Sequence, residues 1–391
     1  WLKCAGRLGS RSAAFAAMGC KNTKSAGAGY GESEGPGRPP PPKWAGASGG
    51  AAADAHARLA PPEDDVLPWV AGLGGGRGQL AAAGIDGNVH VYDSGKRQLL
   101  SSWKAHPKAV NRIRPLDDDM LLTASNDATV RLWRLGADGA PRGGSEEPAL
   151  TFVGHRMSVS AMDVLGAEGD GPATTLFTGS RDCTVRTWDL ATATELHQHK
   201  ILRNVVTAVR AVPGQSSIVV QASEDLQLRL WDARAAPSPV RVVRAGPNQF
   251  ICIDVTPDGN YVACGSKGFS RENCEVKVFD LRAGLKELCV VPCADQTIEA
   301  LSIVAPDRCF IAGKDGYIRT LSLPDVKILH ERGPAATAYT AFGVTMRPSG
   351  GLVALAALAG PSGPSLELLA WPDGNMDGEP AIWAATVDAT E

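Results

Sequence analysis

The chain is 391 residues long, 44% of them hydrophobic, with a formal net charge of −3 at pH 7. A charge this close to zero excludes a global basic field for nucleic acid, and no run of 18 apolar residues predicts a membrane-spanning helix. The nine cysteines form no Cys-x-x-Cys pair and no Cys/His spacing of a zinc module, so we expect no metal centre.

The first motif in the chain is "MGCKNTKS" at residues 18–25, which matches the pattern for N-myristoylation. If Met18 is the start, Gly19 becomes the acylated terminus and Thr23 stands at the offset that the pattern requires. Cys20 is placed for palmitoylation, and two nearby lysines attract anionic lipid. Because one acyl chain anchors weakly and two anchor stably, we expect lipidation at both Gly19 and Cys20.

The methionine positions support this start. The next methionine, Met120, lies inside the repeats described below, so a chain that starts there lacks part of the fold. We therefore expect residues 1–17 to be an upstream extension that is missing from the mature protein. Residues 18–64 form a lipid-anchor tail and linker, disordered because Gly, Ala, Pro and Ser leave few apolar clusters. Within it, "GRPPPPK" (37–43) favours a stiff polyproline linker over a ligand for an SH3 or WW module.

The rest of the chain repeats one pattern: a short apolar strand, small residues, a turn that usually contains Asp, and an alternating strand with an aromatic or apolar end. Seven residues hold this last position, between 41 and 55 residues apart: Tyr92, Trp133, Trp188, Trp231, Phe279, Leu321 and Leu369. A period in the forties with four short strands per unit is typical of β-propellers.

The segment "GHRMSVSAMDV…LFTGSRDCTVRTWDL" (154–190) places its Gly-His, turn Asp and Trp-Asp as the WD40 family does. The chain resembles that family over residues 65–391, which implies an all-β, seven-bladed propeller. In the family, His, Asp, Trp and a strand Ser or Thr form a buried hydrogen-bond network. The resemblance assigns this structural role, rather than catalysis, to two full sets and a partial third: His106, Asp127 and Trp133; His155, Asp182 and Trp188; Asp225 and Trp231.

Ring closure is a separate expectation. The stretch "VLPWVAGL" (66–73) leaves the first blade without an outer strand, and the only strand-like stretch after Trp371 is "PAIWAATVDA" (380–389). We predict that this C-terminal strand completes the first blade and closes the ring, which removes an open sheet edge. Deletion of 378–391 would then lower the melting temperature of the whole domain.

Two local motifs favour structure over chemistry. "GLGGGRG" (72–78) is followed by a strand, whereas a phosphate loop opens a helix, so it is a loop of the first blade. "HQH" (197–199) has no third metal ligand nearby, which favours an exposed outer strand. No nucleophile elbow, Walker loop, HExxH or EF-hand string occurs. We therefore expect a non-enzymatic protein with no cofactor and no small-molecule substrate.

Five basic residues fall on loops that open on one face of the predicted ring: Arg156, Arg181, Arg203, Lys267 and Arg271. An arginine-rich arc can hold an acidic peptide through bidentate hydrogen bonds, which makes these residues the candidate partner-binding set. The alternative is ordinary solvated loop charge.

Three stretches, 203–214, 221–234 and 264–282, resemble a ciliary branch of the family, chiefly through the long excursion 265–274. That resemblance implies a scaffold that supports cilium assembly and regulates intraflagellar transport. With the lipid anchor, it predicts a cytoplasmic, membrane-associated protein at the cilium or its base. The alternative is a soluble WD40 adaptor, such as a ubiquitin-ligase substrate receptor or an assembly factor.

Overall fold

The computed structural model describes residues 69–385, with gaps at 74–77, 97, 118, 143–146, 167–172, 202–203, 235–237, 324–326, 334–337, 347–351, 361–362 and 372–380. The chain divides into two units, Trp1–His56 and Ala57–Glu391, and every described residue belongs to the second. The predicted extension, tail and lipidation sites Gly19 and Cys20 lie outside the described residues. Within the described ranges, no helix has the length and apolar character needed to cross a bilayer.

The described residues form seven four-stranded antiparallel sheets, each made of four consecutive strands. The first two sheets contain β1 (Trp69–Gly72), β2 (Gln79–Ala83), β3 (Asn88–Asp93), β4 (Gln98–Lys104), β5 (Val110–Asp117), β6 (Met120–Ser125), β7 (Thr129–Arg134) and β8 (Leu150–Val153). The next two contain β9 (Val159–Gly166), β10 (Ala173–Ser180), β11 (Thr184–Asp189), β12 (Glu195–Lys200), β13 (Val206–Ala211), β14 (Ile218–Ser223), β15 (Gln227–Asp232) and β16 (Arg241–Arg244). The last three contain β17 (Phe250–Val255), β18 (Tyr261–Ser266), β19 (Glu275–Asp280), β20 (Lys286–Pro292), β21 (Ile298–Ala305), β22 (Arg308–Gly313), β23 (Ile318–Ser322), β24 (Lys327–Arg332), β25 (Ala338–Met346), β26 (Leu352–Gly360), β27 (Gly363–Trp371) and β28 (Ala381–Ala385).

The sheets form a ring, and we number them as blades one to seven in chain order. The first strand of each blade packs against the first strand of the next, in the order β1, β5, β9, β13, β17, β21 and β25. β25 in turn packs against β1. The second strands are buried on both faces, which is why "MLLTAS" and "YVACGS" are almost continuously apolar or small. The fourth strands of blades three and four are almost entirely exposed.

The hydrophobic core lies between neighbouring blades. The repeat position identified in the sequence falls in the third strand of every blade, and all seven of its side chains are buried: Tyr92, Trp133, Trp188, Trp231, Phe279, Leu321 and Leu369. Trp133 packs edge-on against Trp103 with ring centroids 6.1 Å apart, and Phe152 meets Trp188 in the same way at 6.0 Å. Such aromatic pairs add about 0.5–1.5 kcal/mol beyond the burial of apolar area.

The prediction that the C-terminal strand closes the ring is wrong. β28 pairs with β27 and is the outermost strand of blade seven. The strand expected at 66–73 is β1, which is the innermost strand of a first blade that has its own outer strand, β4. The ring closes instead by side-by-side packing of β25 on β1. A Cβ added at Gly343 would lie 2.5 Å from the carbonyl oxygen of Val70, so the two backbones are in close contact.

A repeated ion pair links the inner strands. The fifth residue of β9 is Asp163, whose Oδ1 lies 2.7 Å from Arg114 Nε of the preceding blade. Its Oδ2 accepts the backbone N–H of Ala211, in the following blade, at 2.9 Å. Two blades further on, Asp254 contacts Arg210 at 3.0 Å and accepts the N–H of Ile303 at 2.8 Å. Each carboxylate therefore ties three blades together.

Two arginines from these inner strands lie over Trp69 of β1. The Arg112 guanidinium carbon is 4.1 Å from the centroid of the indole ring, and that of Arg210 is 5.9 Å away. Burial, together with the like charge of Arg210, lowers the pKa of Arg112 to about 10. Trp69 therefore packs in the middle of the ring against side chains from blades two and four, which fixes β1 in place.

Candidate partner-docking face

One face of the ring carries the connections from the second to the third strand of each blade and from the fourth strand to the next blade. In an up-and-down antiparallel sheet these two kinds of connection must emerge on the same side. We call it the loop face. It holds the ends of the predicted His–Asp networks and all the described candidate basic residues, Arg156, Arg181, Lys267 and Arg271.

The predicted network is present in blade two. His106 Nδ1 donates to Asp127 Oδ2 at 2.9 Å, because a carboxylate can only accept. Thr123 Oγ1 lies 2.8 Å from His106 Nε2 and accepts the indole N–H of Trp133 at 3.0 Å. Asp127 also accepts the backbone N–H of Thr129 at 2.9 Å, which shapes the turn. The arrangement satisfies the buried polar groups of the blade.

Blade three repeats the network. His155 contacts Asp182 at 3.0 Å and Thr178 at 2.8 Å, and Trp188 donates to the same threonine at 2.9 Å. Asp182 Oδ2 additionally accepts the backbone N–H of Arg156 at 2.9 Å. The hydrogen-bond network of blade three therefore also fixes the backbone of Arg156, a candidate docking residue.

Hydrogen bonds change the acidity of these aspartates. Burial raises the pKa of the Asp127 carboxyl, but hydrogen bonds from His106 and Thr129 outweigh it and lower the pKa to about 2. In blade three, the hydrogen bonds from His155, Thr184 and Arg156 likewise outweigh burial and hold the pKa of Asp182 well below its usual range. Both carboxylates are therefore ionised at neutral pH.

Blade four keeps the predicted Asp225 and Trp231 but gives them other partners. Asp225 forms an ion pair with Arg229, and Trp231 donates its indole N–H to Gln221 Oε1 at 2.7 Å. His199, from the "HQH" stretch, packs its ring against Trp231 with centroids 5.0 Å apart. Among the described residues, no group of three His, Cys, Asp or Glu side chains could hold a metal ion.

The candidate basic residues form two separate groups. Arg156 and Arg181 lie on adjacent blade-three loops, both exposed, and the backbone N–H of Arg181 donates to Ser158 at 2.9 Å. Lys267 and Arg271 lie on blade five, where Arg271 forms a two-bond ion pair with Asp295 at 3.0 and 3.3 Å. Arg203 lies outside the described residues, so its place between the two groups stays a prediction.

The blade-five excursion is an ordered loop, residues 267–274, between β18 and β19. The corresponding turns of blades two and three are residues 126–128 and 181–183. The loop presents Phe269, whose side chain is 72% exposed. Phe269, Asn248 and Gln249 were missed in the sequence, although an unpaired aromatic in an unusually long turn was a visible signal.

Comparison with known protein families matches the part of the chain that contains the two complete networks. A family model described as "WD domain, G-beta repeat" matches residues 97–134 and 146–189, which cover the two blades with complete His–Asp–Thr–Trp networks. Each of the two networks therefore lies within a repeat that the family model matches.

Curated relatives match about half of the chain or less. A ribosome biogenesis protein WDR12 homolog of Drosophila virilis is 30% identical over 167 residues, 39% of this chain and 37% of that protein. WD repeat-containing protein 81 of Danio rerio is 32% identical over 195 residues, 48% of this chain and 9% of that protein. Mitochondrial division protein 1 of Schizosaccharomyces pombe is 29% identical over 189 residues, 42% of this chain and 29% of that protein.

The chain thus spans well under two thirds of the length of each of these relatives. What they share with it is the repeat unit. The chain therefore contains WD40 repeats at 97–134 and 146–189 within a ring of four-stranded sheets, and it is similar to WD-repeat proteins over about half of its length or less.

Proposed function

We propose that this protein is a non-enzymatic scaffold that docks acidic segments of partner proteins on its loop face. The observation that carries the proposal is the pair Arg156 and Arg181. Both side chains are exposed, and neither forms an ion pair with any residue that the structure describes. Hydrogen bonds to Asp182 and Ser158 fix the backbone of both residues.

This arrangement suits a carboxylate ligand. A guanidinium offers two parallel N–H donors that match the two oxygens of a carboxylate. Because the backbone is already fixed, less conformational entropy is lost when a partner binds. A partner that places two acidic side chains over blade three would engage both arginines.

The titratable core groups support a binding role over catalysis. In each His–Asp pair the second ring nitrogen of the histidine is hydrogen-bonded to a threonine hydroxyl within the blade. Burial raises the pKa of Cys293 to about 12, and it raises those of Cys252, Cys264 and Cys309 as well. These thiols are therefore protonated at neutral pH, and the thiolate is the nucleophilic form.

Proximity labelling by the full chain in cells tests the docking surface. We expect Arg156→Glu/Arg181→Glu to lose a defined set of labelled proteins that the wild type retains. The matched control is Arg134→Glu/Lys286→Glu, which should keep that set. These two exposed residues lie at the strand ends that face away from the loop face. An unchanged set in the first variant, with an unchanged melting temperature, would refute the arginine surface.

We further propose that the scaffold is tethered to a membrane through acylated Gly19 and Cys20 and acts at the cilium or its base. The motif at 18–25 supports the tether, and the resemblance of the long blade-five loop to WD repeat-containing protein 31 supports the ciliary role. Membrane fractionation of the chain expressed from Met18, against its Gly19→Ala variant, tests the tether. Equal partition of the two would refute it.

The alternative is a soluble WD40 adaptor, for instance an assembly factor or a ubiquitin-ligase substrate receptor. The ribosome biogenesis protein among the relatives favours an assembly factor over the receptor. Co-sedimentation separates these possibilities. An assembly factor would migrate with large particles in a density gradient, whereas a tethered scaffold would float with membranes.

A further inference from the structure

A groove opens on the loop face between blades four and five. It has a volume of about 340 Å³, within the range of clefts that bind small ligands or single side chains. Its lining combines three kinds of side chain, apolar, amide and charged: Leu226 and Phe269; Asn248 and Gln249; Glu224 and Lys267. The site lies apart from Arg156 and Arg181, which belong to the blade-three loops.

The wall that carries Phe269 is rigid. Phe269 and Glu272 exchange backbone hydrogen bonds of 3.2 and 3.0 Å, which close a small hairpin at the tip of the loop. Thr297 Oγ1 donates to the carbonyl of Gly268 at 2.9 Å, and the Arg271 backbone N–H donates to the carbonyl of Asp295 at 3.0 Å. The connection from blade five to blade six therefore fixes the loop through these hydrogen bonds.

The backbone of this loop is also strained. Ser270, Arg271 and Asn273 have φ values of 51°, 70° and 57°, in the left-handed region that non-glycine residues seldom occupy. Gly268 cannot be replaced, because a Cβ there would lie 2.5 Å from the carbonyl oxygen of Glu272. Strain of this kind persists only where the surroundings fix it, and it clusters at binding sites. Its effect here is to hold an aromatic ring in solvent.

The two walls of the groove carry opposite charges. The Lys267 ammonium is exposed and forms no ion pair within the described ranges, whereas Lys277 in the same blade contacts two carboxylates. Glu224 lies on the blade-four side of the groove. An acidic ligand group is therefore attracted to the blade-five wall and repelled by the blade-four wall.

We propose that this groove binds an extended segment of a partner protein in which a large apolar side chain stands next to a single acidic residue. The apolar side chain lies between Phe269 and Leu226, and the acidic residue pairs with Lys267. Exposed, preorganised aromatic side chains are the usual centres of binding energy at protein interfaces. This inference rests on the proposed scaffold function and names a second, separate contact for it.

Selection of a displayed library of random 12-residue peptides on the full chain tests the groove. We expect enriched peptides to share a Leu, Ile, Phe or Trp beside one Asp or Glu. Synthetic copies should bind Phe269→Ala about 30-fold more weakly than the wild type. Val153→Ala, which trims an apolar side chain of similar exposure on an outer strand, should bind them unchanged.

A charge swap tests the ion pair between Lys267 and the peptide acid. Lys267→Glu should weaken the binding of the acidic peptides about tenfold, and replacement of the peptide acid by Lys should restore binding to that variant. Enriched peptides that bind Phe269→Ala as well as the wild type, or show no acid, would overturn the proposal. So would a selection that enriches nothing. If such a failure coincides with partners lost in Arg156→Glu/Arg181→Glu, the groove is refuted and the scaffold function stands.

Discussion

At the scale of single residues, the hydrogen-bonded, half-buried aspartates of blades two and three couple stability to pH. Asp127 is held by His106 and Thr129, and its folded-state pKa of about 2 lies below the ordinary value of 3.8. A depressed carboxyl pKa adds stability above the unfolded-state pKa, and that stability is lost as the pH falls towards the folded-state value. These hydrogen-bonded pairs were predictable from the resemblance to the WD40 family, which the Gly-His, turn Asp and Trp-Asp of residues 154–190 carry.

Asp127→Asn should therefore flatten the acid limb of the stability curve. We expect the variant to lose about 1–2 kcal/mol of unfolding free energy at pH 7, and the difference from the wild type to vanish between about pH 4 and pH 2. Urea unfolding at a series of pH values measures this. The control, Asp117→Asn at an exposed strand end, should change stability by less than about 0.5 kcal/mol. A constant gap between Asp127→Asn and the wild type at all pH values would contradict the coupling.

At the scale of strands, the inner strands are joined by alternating charges. The fifth residue of the inner strand is Arg114, Asp163, Arg210 and Asp254 in blades two to five. This alternation was visible in "VNRIRP", "VSAMDV", "VTAVRA" and "FICIDV", yet it was missed. Strand charges usually face solvent, and nothing local shows that these side chains meet across blades. By contrast, the repeated third-strand position was predictable, because burial requires a large apolar residue there in every blade.

Asp163 provides the test of these links. Asp163→Ala should lower the unfolding free energy by about 2 kcal/mol, since it removes the ion-pair partner of the partly exposed Arg114 and the acceptor of the Ala211 N–H. Asp163→Asn keeps an oxygen for the Ala211 N–H and should cost clearly less. Chemical denaturation with a double-mutant cycle against Arg114→Ala separates the two contacts. A loss below about 0.5 kcal/mol in Asp163→Ala would show that the link is energetically neutral.

At the scale of the whole ring, the sequence predicted the repeats but not the closure. Outer and inner strands of a blade are both short and partly apolar, so the pattern alone does not show which strand of a blade comes first in the chain. The start of the cycle is set by the packing of β25 on β1, a contact between residues far apart in sequence. No local rule carries that information.

Two changes should therefore raise hydrogen exchange in different strands. Gly343→Ala forces a Cβ against the Val70 carbonyl at the closure, so we expect a loss of about 1–3 kcal/mol and faster hydrogen exchange in β1 and β25. Deletion of 378–391 removes β28, the outermost strand of blade seven, and should raise exchange in β27 while β1 stays protected. Hydrogen exchange measured by mass spectrometry distinguishes them. Loss of protection in β1 after the deletion would mean that the C-terminus does take part in closure.

The packing of β25 on β1 also sets the order of events during synthesis. β1 ends at Gly72 and β25 begins at Ala338, so the ribosome must add the whole intervening chain before the two can meet. At about 5–20 residues per second, this takes roughly 13–50 seconds, during which the inner edge of blade one has no neighbour on that side. Blades one to six can assemble successively on the nascent chain, and the ring is completed only after blade seven has been synthesised. Co-translational factors that shield β1 would therefore act on this protein longer than on one with local contacts.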